Sequence, residues 1–278
     1  MNFLKNKKKY YFLSGLPRSG NTVLSCILNQ NPEVQVSAQS PVCDIMASIE
    51  HQKNGDLYSD FPDENSMDDC VCGVLDSYYK SWKGRHIIDR GIWGIPPVIN
   101  LLERHYYDDL KIICPVRDLN EILASYIVHY HRNAVIDARY AGDITYYVRQ
   151  EIMKHNGLMY NSLWNVKNLS TQRFKDKVYF MRYDNLCKNP REELNNIYNF
   201  LGIKGYNHDF NNIAQFKING VELDSRKELT RFPTGLYYVR PKVEKAERDI
   251  NEVLSDDVRD QYRDYTVDTY RNWVFPFV

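Results

Sequence analysis

Near the start of the chain, Gly15-Leu16-Pro17-Arg18-Ser19-Gly20-Asn21-Thr22 combines two glycines, an arginine and two hydroxyls in the order a phosphate cradle needs. Loop amides and the free N–H groups of a following helix converge on one point, and the helix dipole favours negative charge there. Three other places carry chemistry-bearing residues at the end of an apolar run: Asp89-Arg90, Arg117-Asp118 and Arg182-Tyr183. In open α/β sheets, ligands bind at the carboxyl ends of the strands. The loop, Asp89-Arg90, Arg117 and Tyr183 all fall at such ends.

The elements that must position these residues alternate between strand and helix signals, which predicts parallel strands with helical crossovers. Tyr10–Ser14 reads as a first strand and Gly20–Gln30 as its helix, stopped at Asn31-Pro32-Glu33. Val34–Val36 is a short strand, and a helix starts after Pro41. Lys53–Ser66 reads as a surface loop and Met67–Trp82 as a helix. His86–Asp89 and Leu110–Val116 are strands, separated by a helix from Pro97 to Tyr106. Asp118 is a natural N-cap for a helix over Leu119–His131. A long helix is expected from Asp143 to about Leu169. Val178–Met181 is the fifth strand, and Pro190–Leu201 a helix stopped by Gly202. Lys204–Arg240 is polar and irregular, and a charged helical tail follows, with Lys242–Arg248 read as a solvated helix face. The expectation is one three-layer α/β domain over residues 1–278. A central parallel sheet of about five strands is flanked by helices, and residues 204–278 close over the loop.

Composition narrows the class. The 278 residues carry 36 basic and 36 acidic side chains, so no basic excess points to a nucleic-acid partner. Nothing reaches eighteen consecutive apolar residues, so no membrane span is expected. The apolar run behind Lys7-Lys8-Lys9 is too short for a secretory signal and leads into the glycine loop, so a cytoplasmic protein is expected. The six cysteines are scattered, and Cys70-Val71-Cys72 lacks a matching pair, so neither a zinc site nor a disulfide framework is expected.

The loop spacing, G-x-x-x-x-G-x-T, matches the nucleotide phosphate loop except that Asn21 replaces its lysine. Together with "PVRDLNEILASY" and "MRYDNLCKNPREELNNIYNFLGI", it resembles the sulfotransferases that use 3′-phosphoadenosine 5′-phosphosulfate (PAPS). The resemblance covers residues 10 to 202 and implies a phosphate-loop-like fold. By that resemblance Arg18, Ser19, Gly20, Asn21 and Thr22 hold the 5′-phosphate and sulfuryl group, Arg117 and Ser125 the 3′-phosphate, and Tyr183 contacts the adenine. Among subfamilies the chain looks most like the tyrosylprotein sulfotransferases, which implies that Ser225 and Arg240 also approach the phosphates.

Departures bear on the acceptor. The subfamily's glutamate base is Gln39 here, which does not accept a proton at neutral pH. Its catalytic lysine is Arg90, and a third arginine of the 3′-phosphate motif is His129. Gln39 is left to orient an acceptor hydroxyl by hydrogen bonding, and Asp89 is the candidate base, with His86 or Asp44 behind it. Such a base contributes ~10²–10⁴ in rate. Arg18 and Arg90 would stabilise the leaving phosphate. No metal is implied. The acceptor is a small molecule, a saccharide or a peptide, and a homodimer stays open. Two other readings remain: a phosphate-loop nucleotide kinase, against which Asn21 argues, and an inactive PAPS-binding protein.

Overall fold

Five short strands, each alternating its side chains between two apolar layers, organise the chain. The computed structural model describes residues 8–132, 143–218, 221–222, 237–246 and 248–270. The strands are β1 (Lys9–Leu13), β2 (Val34–Val36), β3 (His86–Arg90), β4 (Ile112–Val116) and β5 (Val178–Arg182). They form one sheet in the order β2-β3-β1-β4-β5, and every pairing is parallel. β1 therefore lies between β3 and β4, so its carboxyl end opens at the middle of the sheet.

Period-two alternation separates the two cores. Phe12, Ile87, Ile112, Cys114 and Val178 face one layer; Tyr11, Leu13, Ile88, Ile113 and Met181 face the other. The first layer is covered by α2 (Val42–His51), α4 (Glu64–Tyr78), α5 (Val98–Tyr106), α6 (Leu119–Arg132) and α8 (Leu158–Leu169). The second is covered by α1 (Asn21–Leu28), α9 (Tyr183–Lys188) and α10 (Pro190–Leu201). The expected parallel sheet of five strands between helices is what forms. Gly202 ends α10 at φ 68°, the left-handed stop read from the sequence. A two-stranded ribbon, β6 (Lys217–Ile218) and β7 (Val221–Glu222), follows. Two short helices, α11 (Ile250–Val253) and α12 (Asp256–Gln261), come later.

Four expectations are corrected. Lys53–Ser66 is helical: a 3₁₀ turn, α3 (Asp56–Asp60) and the start of α4. Its polar residues cap and cross-link instead of looping. Asp63 accepts from the Ser66 amide at 3.0 Å, and Lys53 meets Glu50, Glu64 and Asp68 within 3.1 Å. The long helix from Asp143 is broken into α7 (Ile144–Tyr147), a π turn (Val148–Ile152) and α8. Asn156 turns left-handed at φ 57° before Gly157, and helical geometry cannot pass through it. Residues 241–246 are irregular rather than helical, because Lys245 is drawn onto Glu121 and Asp184 at 2.8 and 2.9 Å. Asp118 precedes α6 as expected, but its carboxylate accepts from the Val267 amide at 2.7 Å. Ser225 lies outside the described residues.

Candidate active site

The loop after β1 is shaped by two close approaches. A Cβ on Gly15 would lie 2.4 Å from the Pro115 ring, and one on Gly20 would lie 2.7 Å from the Tyr183 ring. Gly20 also sits at φ 85° and opens α1. Arg18 adopts φ 60°, a sparsely populated conformation for a residue with a side chain, and such conformations cluster at ligand sites. The Asn21 side chain, nearly buried, donates to the Leu16 carbonyl at 2.6 Å. It braces the loop from within, where a nucleotide-binding lysine would reach outward to a phosphate. Ser19 is fully buried.

Two strand-tip cations meet this loop. Arg90, at the end of β3, donates from Nη1 to Thr22 Oγ1 at 3.0 Å and to the Ala38 carbonyl at 2.9 Å. Burial pulls its pKa below the usual arginine value, with Arg18 adding in the same direction, yet an arginine stays charged. Arg117, after β4, is 5% exposed. Its Nη1 donates to the Arg18 carbonyl at 3.2 Å, its Nε to Glu121 Oε2 at 2.6 Å, and its guanidinium lies 4.5 Å over the Tyr183 ring. Arg18 Nε donates to Ser125 Oγ at 3.1 Å, so loop and α6 are tied together. Burial raises the Tyr183 phenol to about 12. Burial also pushes the Glu121 carboxyl up, but Lys245 and Arg117 outweigh it and hold the group below its usual range.

A cleft of about 430 Å³ gathers most of the residues named from the sequence. Arg18, Gly20, Asn21, Thr22, Gln39, Arg90, Arg117, Ser125, Tyr183 and Arg240 all line it. His129 lines it too, one turn past Ser125. Gln39 Oε1 accepts from the Tyr237 hydroxyl at 2.9 Å, and Arg240 pairs with Glu244 at 2.9 Å. The cleft thus brings together the cations Arg18, Arg90 and Arg117 and the N-terminus of α1.

The expected base is not brought there. Strand alternation turns Asp89 to the face opposite Arg90, where it is fully buried and absent from the cleft wall. It accepts from Ser40 Oγ, Tyr79 Oη and Trp93 Nε1, the last at 3.0 Å, and burial raises its pKa. His86 sits at the other end of β3, 3.3 Å from the Tyr11 hydroxyl. Asp44 is exposed on α2, off the cleft wall. Sequence reasoning missed Glu121, although its i,i+4 spacing from Arg117 was a readable signal. It also missed Tyr126, which directly follows Ser125 on α6, and Tyr237, which reaches the cleft wall by long-range packing and carries no local signal.

Residues 96–221 match the Sulfotransferase domain family. That stretch contains Arg117, Ser125 and Tyr183 and excludes the loop 15–22. A sulfotransferase from Alicyclobacillus acidocaldarius superposes with a TM-score of 0.52 at 15% identity, covering 73% of this chain and 84% of its own. The sulfotransferase domain of the Synechococcus PCC 7002 olefin synthase gives 0.46 at 16%, covering 100% and 92%. Mouse sulfotransferase SULT7A1 complexed with PAP gives 0.47 at 15%, covering 72% and 59%. No curated protein sequence matches the chain. The family match bears out the resemblance read from the sequence and supports sulfotransferase activity; the Alicyclobacillus structure supports the α/β fold.

Proposed function

We propose that this chain transfers a sulfuryl group from PAPS to a hydroxyl or amine of an acceptor, without a metal ion. The observation that carries the reading is Arg117. It is a buried guanidinium stacked on an aromatic ring and bonded to the phosphate loop's own backbone, and it lines the same cleft as Arg90. Two separate cations on one cleft, Arg90 against Thr22 and Arg117 against the Arg18 carbonyl, suit a ligand with two anionic groups, as a nucleotide phosphorylated at 3′ and 5′ has.

The residues fit such a group. The N–H groups of Gly20, Asn21 and Thr22 open a helix beneath it, and Gly20 leaves room for the Tyr183 ring. In this reading Arg18, Gly20, Asn21 and Thr22 hold the 5′ end, Ser19, expected there too, is buried inside the loop and off the cleft wall, and Arg117 with Ser125 holds the 3′-phosphate. Tyr183 lies against the base, and Arg240 adds charge from the segment that borders the cleft. Bound PAPS supplies the activated sulfuryl group. Arg90 and the loop amides stabilise negative charge on the departing phosphate oxygen, and loss of one such donor typically costs about 10²–10³ in rate. Gln39 orients the acceptor. The kinase alternative has little support, because the Asn21 side chain is engaged inside the loop.

The test is a thermal-shift comparison of adenosine 3′,5′-bisphosphate (PAP), ATP with magnesium, and buffer, followed by transfer from PAPS to an acceptor panel. PAP should stabilise the chain more than ATP with magnesium. Magnesium-dependent ATP turnover would replace this reading with the kinase one.

A further inference from the structure

The glycine loop after β1 and the turn after β3 both enter the cleft, the second presenting Arg90, Gly91 and Ile92. Both are bonded at their roots to one buried side chain, Asn165 of α8. At the first root, Asn165 Nδ2 donates to the Ser14 carbonyl at 3.0 Å, and Oδ1 accepts from the Ser14 hydroxyl at 2.7 Å. At the second, the same Oδ1 accepts from the Gly94 amide at 2.6 Å. The Ser14 hydroxyl closes the circuit by accepting from the Trp93 amide at 2.8 Å. Both acceptor sites of Oδ1 are thus taken, and only Nδ2 can serve the carbonyl, so the amide has one orientation. Ser14 and Asn165 are each 1% exposed, which shields these bonds from solvent.

The turn that carries Arg90 is fixed along its length. Asp89 accepts from Trp93 Nε1 at 3.0 Å, the Gly91 amide donates to the Leu13 carbonyl at 3.1 Å, and the Trp93 ring packs 4.5 Å from that of Phe12. Asn168 Nδ2 donates to the Gly94 carbonyl at 2.9 Å. The fit is close: a Cβ on Gly94 would lie 2.5 Å from Asn165 Oδ1 and 2.6 Å from Leu169. A shift at either root is therefore passed to the residues that the root carries into the cleft.

We infer that Asn165 is a positioning residue for sulfuryl transfer, which sets the separation between the glycine loop and Arg90. This rests on the donor reading above. Asn165 is not on the cleft wall and acts through Ser14 on one side and through Trp93 and Gly94 on the other. In that reading the loop holds the 5′-phosphate before and during transfer alike. Arg90 acts on charge that develops only as the sulfur–oxygen bond breaks. The separation of the two therefore bears on rate more than on affinity, and a misplacement of about 1 Å costs up to about 10²-fold in rate.

The experiment follows PAP release from PAPS by the full chain with water as the acceptor, and again with the acceptor panel; PAP affinity is titrated separately. With water, its oxygen forms the new bond to sulfur and its proton goes to solvent. The bond from sulfur to the 5′-phosphate oxygen breaks, and PAP leaves with the electron pair. Asn165→Leu keeps the side chain's volume and removes its bonds to Ser14 and Gly94; Ser14→Ala removes only the hydroxyl. They should slow PAP release by about 10- to 100-fold and about 3- to 10-fold respectively, while the Kd for PAP changes less than about threefold. In an Arg90→Ala background either change should cost less than about twofold more, because the separation it spoils no longer serves a cation. Asn31→Ala removes another buried asparagine, bonded to Tyr198 and the Glu33 amide, and should lower the melting temperature without slowing PAP release. If Asn165→Leu fails to fold, Ser14→Ala decides. Wild-type rates in a folded variant overturn the inference alone. So does a rate loss that multiplies in full with Arg90→Ala, or one matched by loss of PAP affinity, since a general loosening of the site predicts both. A wild type that fails to bind PAP, or binds it and releases none from PAPS with water or the panel, overturns the donor reading and this inference with it.

Discussion

Replacing Arg117 with alanine separates the two ends of the proposed donor. The guanidinium is buried, lies 4.5 Å over Tyr183, and is paired to Glu121 at 2.6 Å. A charge-assisted hydrogen bond to a 3′-phosphate contributes about 1.5–3 kcal/mol, which is roughly 10- to 150-fold in Kd. Arg117→Ala should therefore weaken PAP by that factor. Adenosine 5′-phosphate has no 3′-phosphate and loses only the stacked cation, about 0.5–1 kcal/mol, or roughly 2- to 5-fold. Glu121 keeps Lys245 as a partner at 2.8 Å, so the variant does not strand a buried carboxylate. Arg117→Lys, which keeps charge but not the planar fork, should fall between the two. Isothermal titration of both nucleotides against both variants reads the difference directly. Equal losses for PAP and adenosine 5′-phosphate would refute the 3′-phosphate role, because a general loss of folding or stacking predicts that pattern.

Arg90→Ala should lower kcat by about 10²–10³ while PAP affinity changes less than about threefold, since its proposed contact is with charge that develops during transfer; a matched loss of PAP affinity would make Arg90 a binding residue. His129→Arg places a permanent cation one turn past Ser125 and should tighten PAP about 5- to 10-fold, and an unchanged Kd by titration would detach His129 from the phosphate. For Asp89 the folded pKa is raised by burial, so its contribution to stability is full below the unfolded value of about 3.9 and is lost as pH rises through the folded value. Asp89→Asn cannot accept from Ser40, Tyr79 and Trp93 together and should cost about 1–3 kcal/mol. That deficit in denaturant melts should be largest at low pH and shrink as pH rises; a deficit that grows with pH would show the carboxylate to be stabilised as an anion.

What was legible in the sequence is what is local or periodic. The glycine loop needs only its own spacing and the helix that follows, so Gly15–Thr22 sits where the pattern put it. Strands β1 to β5 announced themselves as short apolar runs, and the strand tips then placed Arg90, Arg117 and Tyr183 at one edge. The stretch Lys53–Ser66 misled because polar residues serve loops, caps and ion clusters alike, and only the positions of Glu50, Asp68 and Arg104 show which. The segment 237–246 reaches the cleft through Lys245 meeting Glu121 and Asp184, a contact across 124 residues for the first, which no local pattern encodes.

The Asp89-Arg90 pair shows where residue type stops informing function. Both are charged, adjacent and at the tip of a buried strand, and both were assigned to chemistry. A strand turns successive side chains to opposite faces, so one of the two had to leave the cleft. Partner register decides which: Phe12 pairs with Asp89 and Leu13 with Arg90, and Phe12 and Leu13 belong to different cores. The loop continues from Leu13 into Ser14 and Gly15, and Arg90 reaches Thr22. Asp89 instead anchors Ser40, Tyr79 and Trp93, the residues that hold the β2–α2 and β3–α5 loops against each other. Those loops carry Gln39 and Ile92 to the cleft wall. The carboxylate thus acts on the cleft at one remove, by fixing the loops that wall it, while its neighbour Arg90 faces the cleft itself.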